Sequence, residues 1–160
     1  MMKKWMLTTA ALTLAGCAQI NSYQDAVQTP APASLQGIWQ TVGPQSRLRS
    51  DRALGSLIVN ADGSTLDCRQ WMRVIAKPGK LTLLSGDYVN VNRQSRVMPL
   101  ELDGGELRYD GLTLRKVERP TLECQQALDE VAKQPDAAVI QNIEPEILKS
   151  AITQANENKQ

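Results

Sequence analysis

Histidine and phenylalanine are both missing from these 160 residues, and aromatic side chains make up only 4% of them. Without histidine the chain lacks the usual general base near neutral pH, which removes Ser-His and Cys-His nucleophilic arrangements and the commonest metal ligand. Carboxylate pairs remain as a chemistry. However, Asp62, Asp67, Asp103 and Asp110 fall mostly in turn-like sequence, where Asp is expected for backbone reasons. We therefore assign no catalytic residue, no metal site and no cofactor. A dominant charge is also lacking, with 18 basic against 17 acidic side chains, a balance that gives no reason to expect nucleic acid as a partner. Nor is there an apolar run of the roughly 20 residues a membrane-spanning helix needs; the stretch from Trp5 to Ala15 is shorter and contains three threonines. With no phenylalanine, the core has to be built mainly from Leu, Val and Ile.

What is present starts with Lys3, Lys4, that short apolar run and Leu14-Ala15-Gly16-Cys17, which resembles the lipobox of a bacterial lipoprotein. Small residues ahead of the cysteine admit a peptidase, and the thiol can take a diacylglyceryl thioether. Residues 1–16 then read as a signal peptide, and Cys17 as the mature N-terminus and lipid-attachment site. A single acyl chain anchors only marginally, whereas lipoproteins of this type carry two thioether-linked chains and often a third, palmitate-like one on the amine. Ala18 and Gln19 stand where an Asp would signal inner-membrane retention. The expected location is therefore the outer membrane of a Gram-negative bacterium, with the domain facing the periplasm. A plain secretory signal followed by an ordinary cysteine is the competing reading. Cleavage would remove Lys3 and Lys4 and move the net charge from +1 to −1.

Cys68 and Cys124 are the other two cysteines. In an oxidising periplasm two such thiols in a small exported domain most often pair. The closed loop of about 55 residues corresponds to roughly 4 kcal/mol in the chain-entropy model, as an upper figure. A metal pair or a reactive thiol are the alternatives, the first poorly supported without histidine or CxxC spacing.

Residues 17–34 include Thr29-Pro30-Ala31-Pro32-Ala33-Ser34, a composition that prefers extended polyproline geometry. They read as a flexible tether reaching up to about 50 Å when stretched. Residues 35–133 read as a β domain with a helix. Strands are expected at Gln36–Val42, Gly55–Asn60, Thr65–Ala76, Lys80–Ser85, Tyr88–Arg93, Ser95–Leu102, Glu106–Tyr109 and Leu112–Glu118, separated by breaks rich in Gly, Asp, Asn and Pro, including Lys77-Pro78-Gly79. Short sequential strands with tight links predict a mainly β fold, an antiparallel meander or a small lipocalin-like barrel that removes exposed edges. After Pro120, Cys124, Ala127, Leu128 and Val131 recur on one helical face, with Thr121 as N-cap. A disulfide at Cys124 would fasten this helix to the sheet. Residues 134–160 read as a helical extension, with a second helix from Pro145.

The chain is similar to the enterobacterial YedD family of small lipoproteins. The similarity lies in the lipobox, Thr29-Pro30-Ala31-Pro32, Gly37-Ile38-Trp39-Gln40-Thr41 with Gly43-Pro44-Gln45, and Gly55-Ser56-Leu57-Ile58-Val59. It continues through the block from Thr65-Leu66-Asp67-Cys68-Arg69-Gln70-Trp71 to Pro78-Gly79-Lys80-Leu81, then Tyr109-Asp110-Gly111, and Arg119-Pro120-Thr121 before Cys124. The resemblance implies a lipoprotein without an assigned activity, and it leaves residues from about 134 onward outside the shared part.

Period-two alternation divides Thr65–Ala76 into two faces, one with Leu66, Cys68, Gln70, Met72 and Val74, the other with Asp67, Arg69, Trp71, Arg73 and Ile75. In one reading the first set forms the core and the arginines are solvated. In the other, Cys68 points outward to meet an external helix. Arg69, Trp71 and Arg73 then line a barrel interior suited to an anionic, partly apolar ligand. Trp39, in Gly37-x-Trp39, is a candidate plug of the barrel's closed end or simply a core residue. Arg47, Arg49 and Arg52 form a basic cluster that is either a solvated loop or a contact for lipid head groups, lipopolysaccharide phosphates or acidic wall polymers. The leading expectation is a non-catalytic interaction module acting on an envelope protein or cell-wall component. The alternative is a small-ligand carrier that uses the interior.

Overall fold

A computed structural model describes residues 19–143; the lipobox with Cys17 and the helix expected from Pro145 lie outside them. Eight antiparallel strands form a closed up-and-down barrel: β1 (Gly37–Thr41), β2 (Leu54–Val59), β3 (Ser64–Gln70), β4 (Val74–Leu84), β5 (Asp87–Asn92), β6 (Val97–Asp103), β7 (Glu106–Tyr109) and β8 (Leu112–Val117). Consecutive strands pair as hairpins, and β1 with β8 makes the closing seam, setting Ile38 opposite Val117. One helix occurs among the described residues, α1 (Leu122–Lys133), followed by a short strand β9 (Ile140–Ile143) that pairs with the start of β4. The mainly β barrel with a C-terminal helix is therefore the observed architecture. The described part of the extension contributes a strand rather than a helix.

Turn chemistry explains most of the strand boundaries. Gly63, Ser85-Gly86, Gly104-Gly105 and Asp110-Gly111 all have positive φ, which glycine adopts without steric cost and Asp tolerates. Two boundaries differ from expectation. Thr65–Ala76 is not one strand but a hairpin, in which Cys68 faces Ala76 and the chain reverses at Trp71-Met72-Arg73. None of these three is a usual turn residue, so the reversal left no local signal. Conversely, Lys77-Pro78-Gly79 is not a break but the interior of the 11-residue β4. A Cβ at Gly79 would come within 2.7 Å of Asn90 Oδ1 and 2.8 Å of Thr65 Oγ1, so this glycine serves close approach inside the barrel rather than a turn.

Alternation sends Trp39, Leu57, Leu81, Leu107, Leu112 and Leu114 into one interior cluster, each worth about 1.5–3 kcal/mol or more when fully buried. The opposite faces are covered in two places. Ile58, Leu66, Cys68, Val74 and Ala76 pack under α1 and β9 against Cys124, Ala127 and Ile140. Cys68 and Cys124 are joined in a disulfide. Thr121 accepts from the Cys124 N–H as N-cap and donates to Gln70 Oε1, while Gln70 Nε2 donates to Glu123, so β3 holds the helix start at neighbouring points.

The second cover is the segment expected to be a free tether. From Ile20 on it is docked along the barrel: Ala26 is buried with Val89 and Val91, and Ile20 and Tyr23 pack against them. The Tyr23 N–H donates to Ser95 Oγ, Thr29 N–H to the Leu81 carbonyl at 2.8 Å, and Ala31 N–H to the Ala61 carbonyl at 3.1 Å. Small alanines let an extended backbone lie close to a sheet, so the same composition that favours extended geometry serves as a strap. The strap runs from the β5–β6 turn to the opposite end, where Ala31 and Leu35 enter the interior cluster.

Candidate functional site at the barrel mouth

The barrel has two unlike ends. The strap closes the end that carries the β2–β3, β4–β5 and β6–β7 turns. At the other end, the mouth, lie the β1–β2 loop (residues 42–53) and the β3–β4, β5–β6 and β7–β8 turns.

Beneath the mouth the interior is filled by a polar network. Thr65 Oγ1 donates to Asn90 Oδ1, Asn90 Nδ2 donates to the Tyr109 hydroxyl at 2.8 Å, and that hydroxyl donates to Asp67 Oδ2 at 2.9 Å. Arg69 closes the network from above, with Nε 2.7 Å from Asp67 Oδ1 and Nη2 3.1 Å from Asp110 Oδ2; Asp110 also pairs with Arg96. Burial, followed by the nearby Asp67 charge, holds the Tyr109 hydroxyl well above the ordinary tyrosine pKa. Burial works against the Arg69 charge, but its hydrogen bond to Asp67 and the charges around it outweigh that and hold its pKa above the usual value. Charge-assisted, partly buried pairs of this kind fix geometry more than they supply stability.

Above the network lies a cavity of about 390 Å³, whose lining includes Arg47, Leu48, Arg49, Arg69, Trp71, Met72 and Arg73. Loop 42–53 is held in place by Gln45, whose side chain both accepts from Thr113 N–H and donates to Thr113 O, as a strand neighbour would. Leu48 packs down onto the interior cluster, and Arg47 lies over the β7–β8 turn, where a Cβ on Gly111 would meet its Nε at 2.7 Å. Trp71 and Met72, 42% and 61% exposed, project from the β3–β4 turn. Among the described residues Arg47, Arg49 and Arg73 have no carboxylate partner. The arrangement presents guanidinium groups around an exposed apolar patch, and is chemically suited to an anion with an apolar part.

The structure thus brings together two sequence features that lie some 20 residues apart, the Arg47–Arg49 cluster and Arg69–Trp71–Arg73. Cys68 does point outward to the helix, and Asp67 and Arg69 point inward. Arg69 is nevertheless committed to two carboxylates, and Trp71 and Arg73 sit on the rim instead of inside. Arg52 is exposed in the same loop but does not line the cavity. Trp39 lies apart from the mouth: it is 2% exposed, its indole N–H donates to Leu35 O, and Lys116 lies over its ring. Asp67 is a buried strand residue rather than a turn residue. Leu48, Met72 and the Asp110 link went unmarked in the sequence; the Asp110-Gly111 dipeptide signals a turn there but not its ion-pair partners.

Three comparisons bear on this site. The family described as "Bacterial lipocalin LPS transport optimiser YedD" matches residues 20–128. The lipoproteins YedD of Salmonella typhimurium and of Escherichia coli, both named as uncharacterised, are each 55% identical over 128 residues. That span covers 80% of this chain and 91% and 93% of theirs. A crystal structure of a lipoprotein YedD from Klebsiella pneumoniae, 45% identical, superimposes with a TM-score of 0.69, covering 73% of this chain and all of that one. The family match ends inside α1, so β9 lies beyond it.

Proposed function

The chain belongs to the YedD family of bacterial lipoproteins, and from that premise we propose that it is a non-catalytic module, lipid-anchored at Cys17 to the outer membrane and facing the periplasm, which supports lipopolysaccharide transport through contacts made at the barrel mouth. The observation that carries this reading is how the charges are distributed. Inside the barrel Arg69 is neutralised by Asp67 and Asp110, whereas the guanidinium groups of Arg47, Arg49 and Arg73 have no carboxylate partner among the described residues and lie beside Trp71 and Met72 on the rim. Lipopolysaccharide is a phosphate-bearing amphiphile, and the family's description names its transport. Cations around an apolar patch suit that chemistry, presented either by the lipid itself or by an acidic envelope protein that handles it.

A carrier using the interior is the second reading, favoured by the cavity volume, which falls within the range of small-ligand pockets. It would require the Tyr109–Asp67–Arg69 network to open, since that network occupies the space beneath the cavity.

The test is complementation. In cells lacking their own copy, the triple variant R49E/W71A/R73E, accumulated to the wild-type level, should fail to restore the outer-membrane barrier to a large antibiotic, while the wild type restores it. Full restoration by the variant would remove the rim from the function. A lipid retained by the wild-type chain in a native mass spectrum and lost in D67N would instead favour the carrier.

A further inference from the structure

We infer that the mouth of the barrel rests on the leaflet that holds the protein's own anchor, with Arg47, Arg49 and Arg73 at the phosphate level and Trp71 and Met72 in the interfacial layer. This inference relies on the assignment of Cys17 as the lipid-attachment site and names the surface that the rim described above would meet.

The first argument is where the strap begins. Tyr23 is fixed at the mouth end, by its N–H to Ser95 in the β5–β6 turn and by its ring, which lies between Lys80 and Arg93 with the cations 4.3 and 5.1 Å from the ring centroid. From there the strap runs away from the mouth, to Leu81 and Ala61 at the closed end. The chain therefore arrives from the membrane at the mouth. Five residues lie between Cys17 and Tyr23; at about 3.3–3.6 Å per step the segment reaches roughly 20 Å when fully stretched. A docked strap replaces the long tether and leaves the mouth as the end nearest the lipid.

The second argument is charge along the barrel axis. Each turn at the closed end carries or adjoins an acid: Asp62 between β2 and β3, Asp87 after the β4–β5 turn and Asp103, paired with Arg108, before the β6–β7 turn; Lys116 and Arg119 at the end of β8 are the cations beside them. At the mouth, the loops carry Arg47, Arg49, Arg52, Arg73, Arg93 and Arg96, with Arg93 paired to Asp136, Asp110 shared by Arg69 and Arg96, and Asp51 as the acid in loop 42–53. An axial separation of this sign turns the mouth toward an anionic surface. The third argument is the exposed Trp71, since tryptophan favours the membrane–water interface, and basic side chains next to it meet anionic head groups.

Trp71 and Trp39 provide the test, because they are the two tryptophans that remain after signal cleavage, one on the rim and one in the core. The lipidated protein is reconstituted into phosphatidylethanolamine–phosphatidylglycerol vesicles with and without bromine on the acyl chains. Bromine should extinguish most of the Trp71 emission in the wild type, and W71F should show no bromine-dependent loss. Equal emission in both vesicles would overturn the inference, and so would a loss that persists in W71F. R47E/R49E/R73E should abolish the loss while the protein remains vesicle-bound through its acyl chains; an unchanged loss would overturn the head-group contact. A single phospholipid retained by the unlipidated C17S chain in a native spectrum would replace the leaflet by one bound lipid. If bromine has no effect while the rim variants still fail to restore the barrier, the docking inference falls and the functional reading stands.

Discussion

The two ends of this barrel are closed by different means from the same alternating strands. At the strap end, Ala31, Leu35 and Trp39 fill the interior with apolar volume. At the mouth, the space is filled by Asp67, Tyr109, Asn90 and Arg69, whose interactions satisfy one another. Apolar filling depends on area and shape and contributes stability directly. A polar network depends on orientation, and its net contribution is smaller because each member gives up hydration. The contrast assigns stability to one end and the placement of an exposed surface to the other.

The largest difference should come from the strap end. Trp39→Ala removes a 2%-exposed indole together with its bond to Leu35 and is expected to cost about 3–5 kcal/mol, read as a lower denaturant midpoint. Asp67→Asn leaves Arg69 with Asp110 alone and keeps an oxygen for the Tyr109 hydroxyl. With Arg69 partly exposed, about 2 kcal/mol is expected, and a cost equal to that of Trp39→Ala would erase the distinction between the ends. Tyr109 adds a pH dependence of definite sign. Its folded pKa is raised, so its stabilising contribution is complete below the unfolded value of about 10 and is lost as pH rises beyond it. A titration of phenolate absorbance should find that Tyr109 ionises only as the barrel unfolds, whereas Tyr109→Phe should remove that step. Smallest of all, Trp71→Ala and Arg49→Glu on the rim should shift stability by no more than about 0.5 kcal/mol even where they abolish barrier restoration; a larger shift in thermal unfolding would make the rim a structural element.

Much of the barrel was legible because its turns use Gly and Asp at positive φ and its strands alternate. The helix was legible for the same kind of reason, since Thr121 and the stripe through Cys124, Ala127 and Val131 are local signals. What escaped was chemistry that local pattern does not encode. The reversal at Trp71-Met72-Arg73 carries no turn residue, and Pro78-Gly79 resembles a turn while serving packing against Thr65 and Asn90. The strap's composition does not tell a free tether from a docked one, and whether it is docked depends on Val89 and Val91, more than 60 residues later. Arg69, Trp71 and Arg73 were marked by type, yet whether each is neutralised depends on Asp110, 41 residues beyond Arg69. The charge of a site could be read from the sequence, but not which of its charges are already paired.

The seam between β1 and β8 sets the order in which this molecule can assemble. Every other contact around the barrel joins strands that follow one another in the chain, whereas Ile38 and Val117 are about 80 residues apart. Hairpins form early because they are local; the seam must wait for the rest, and such distant pairings slow folding. Until it zips, β1 and β8 are open edges able to recruit another chain, so the interval before closure is when aggregation competes with folding. Trp39 sits on β1 opposite Lys116 across that seam, and the time course of its fluorescence during refolding would register barrel closure itself.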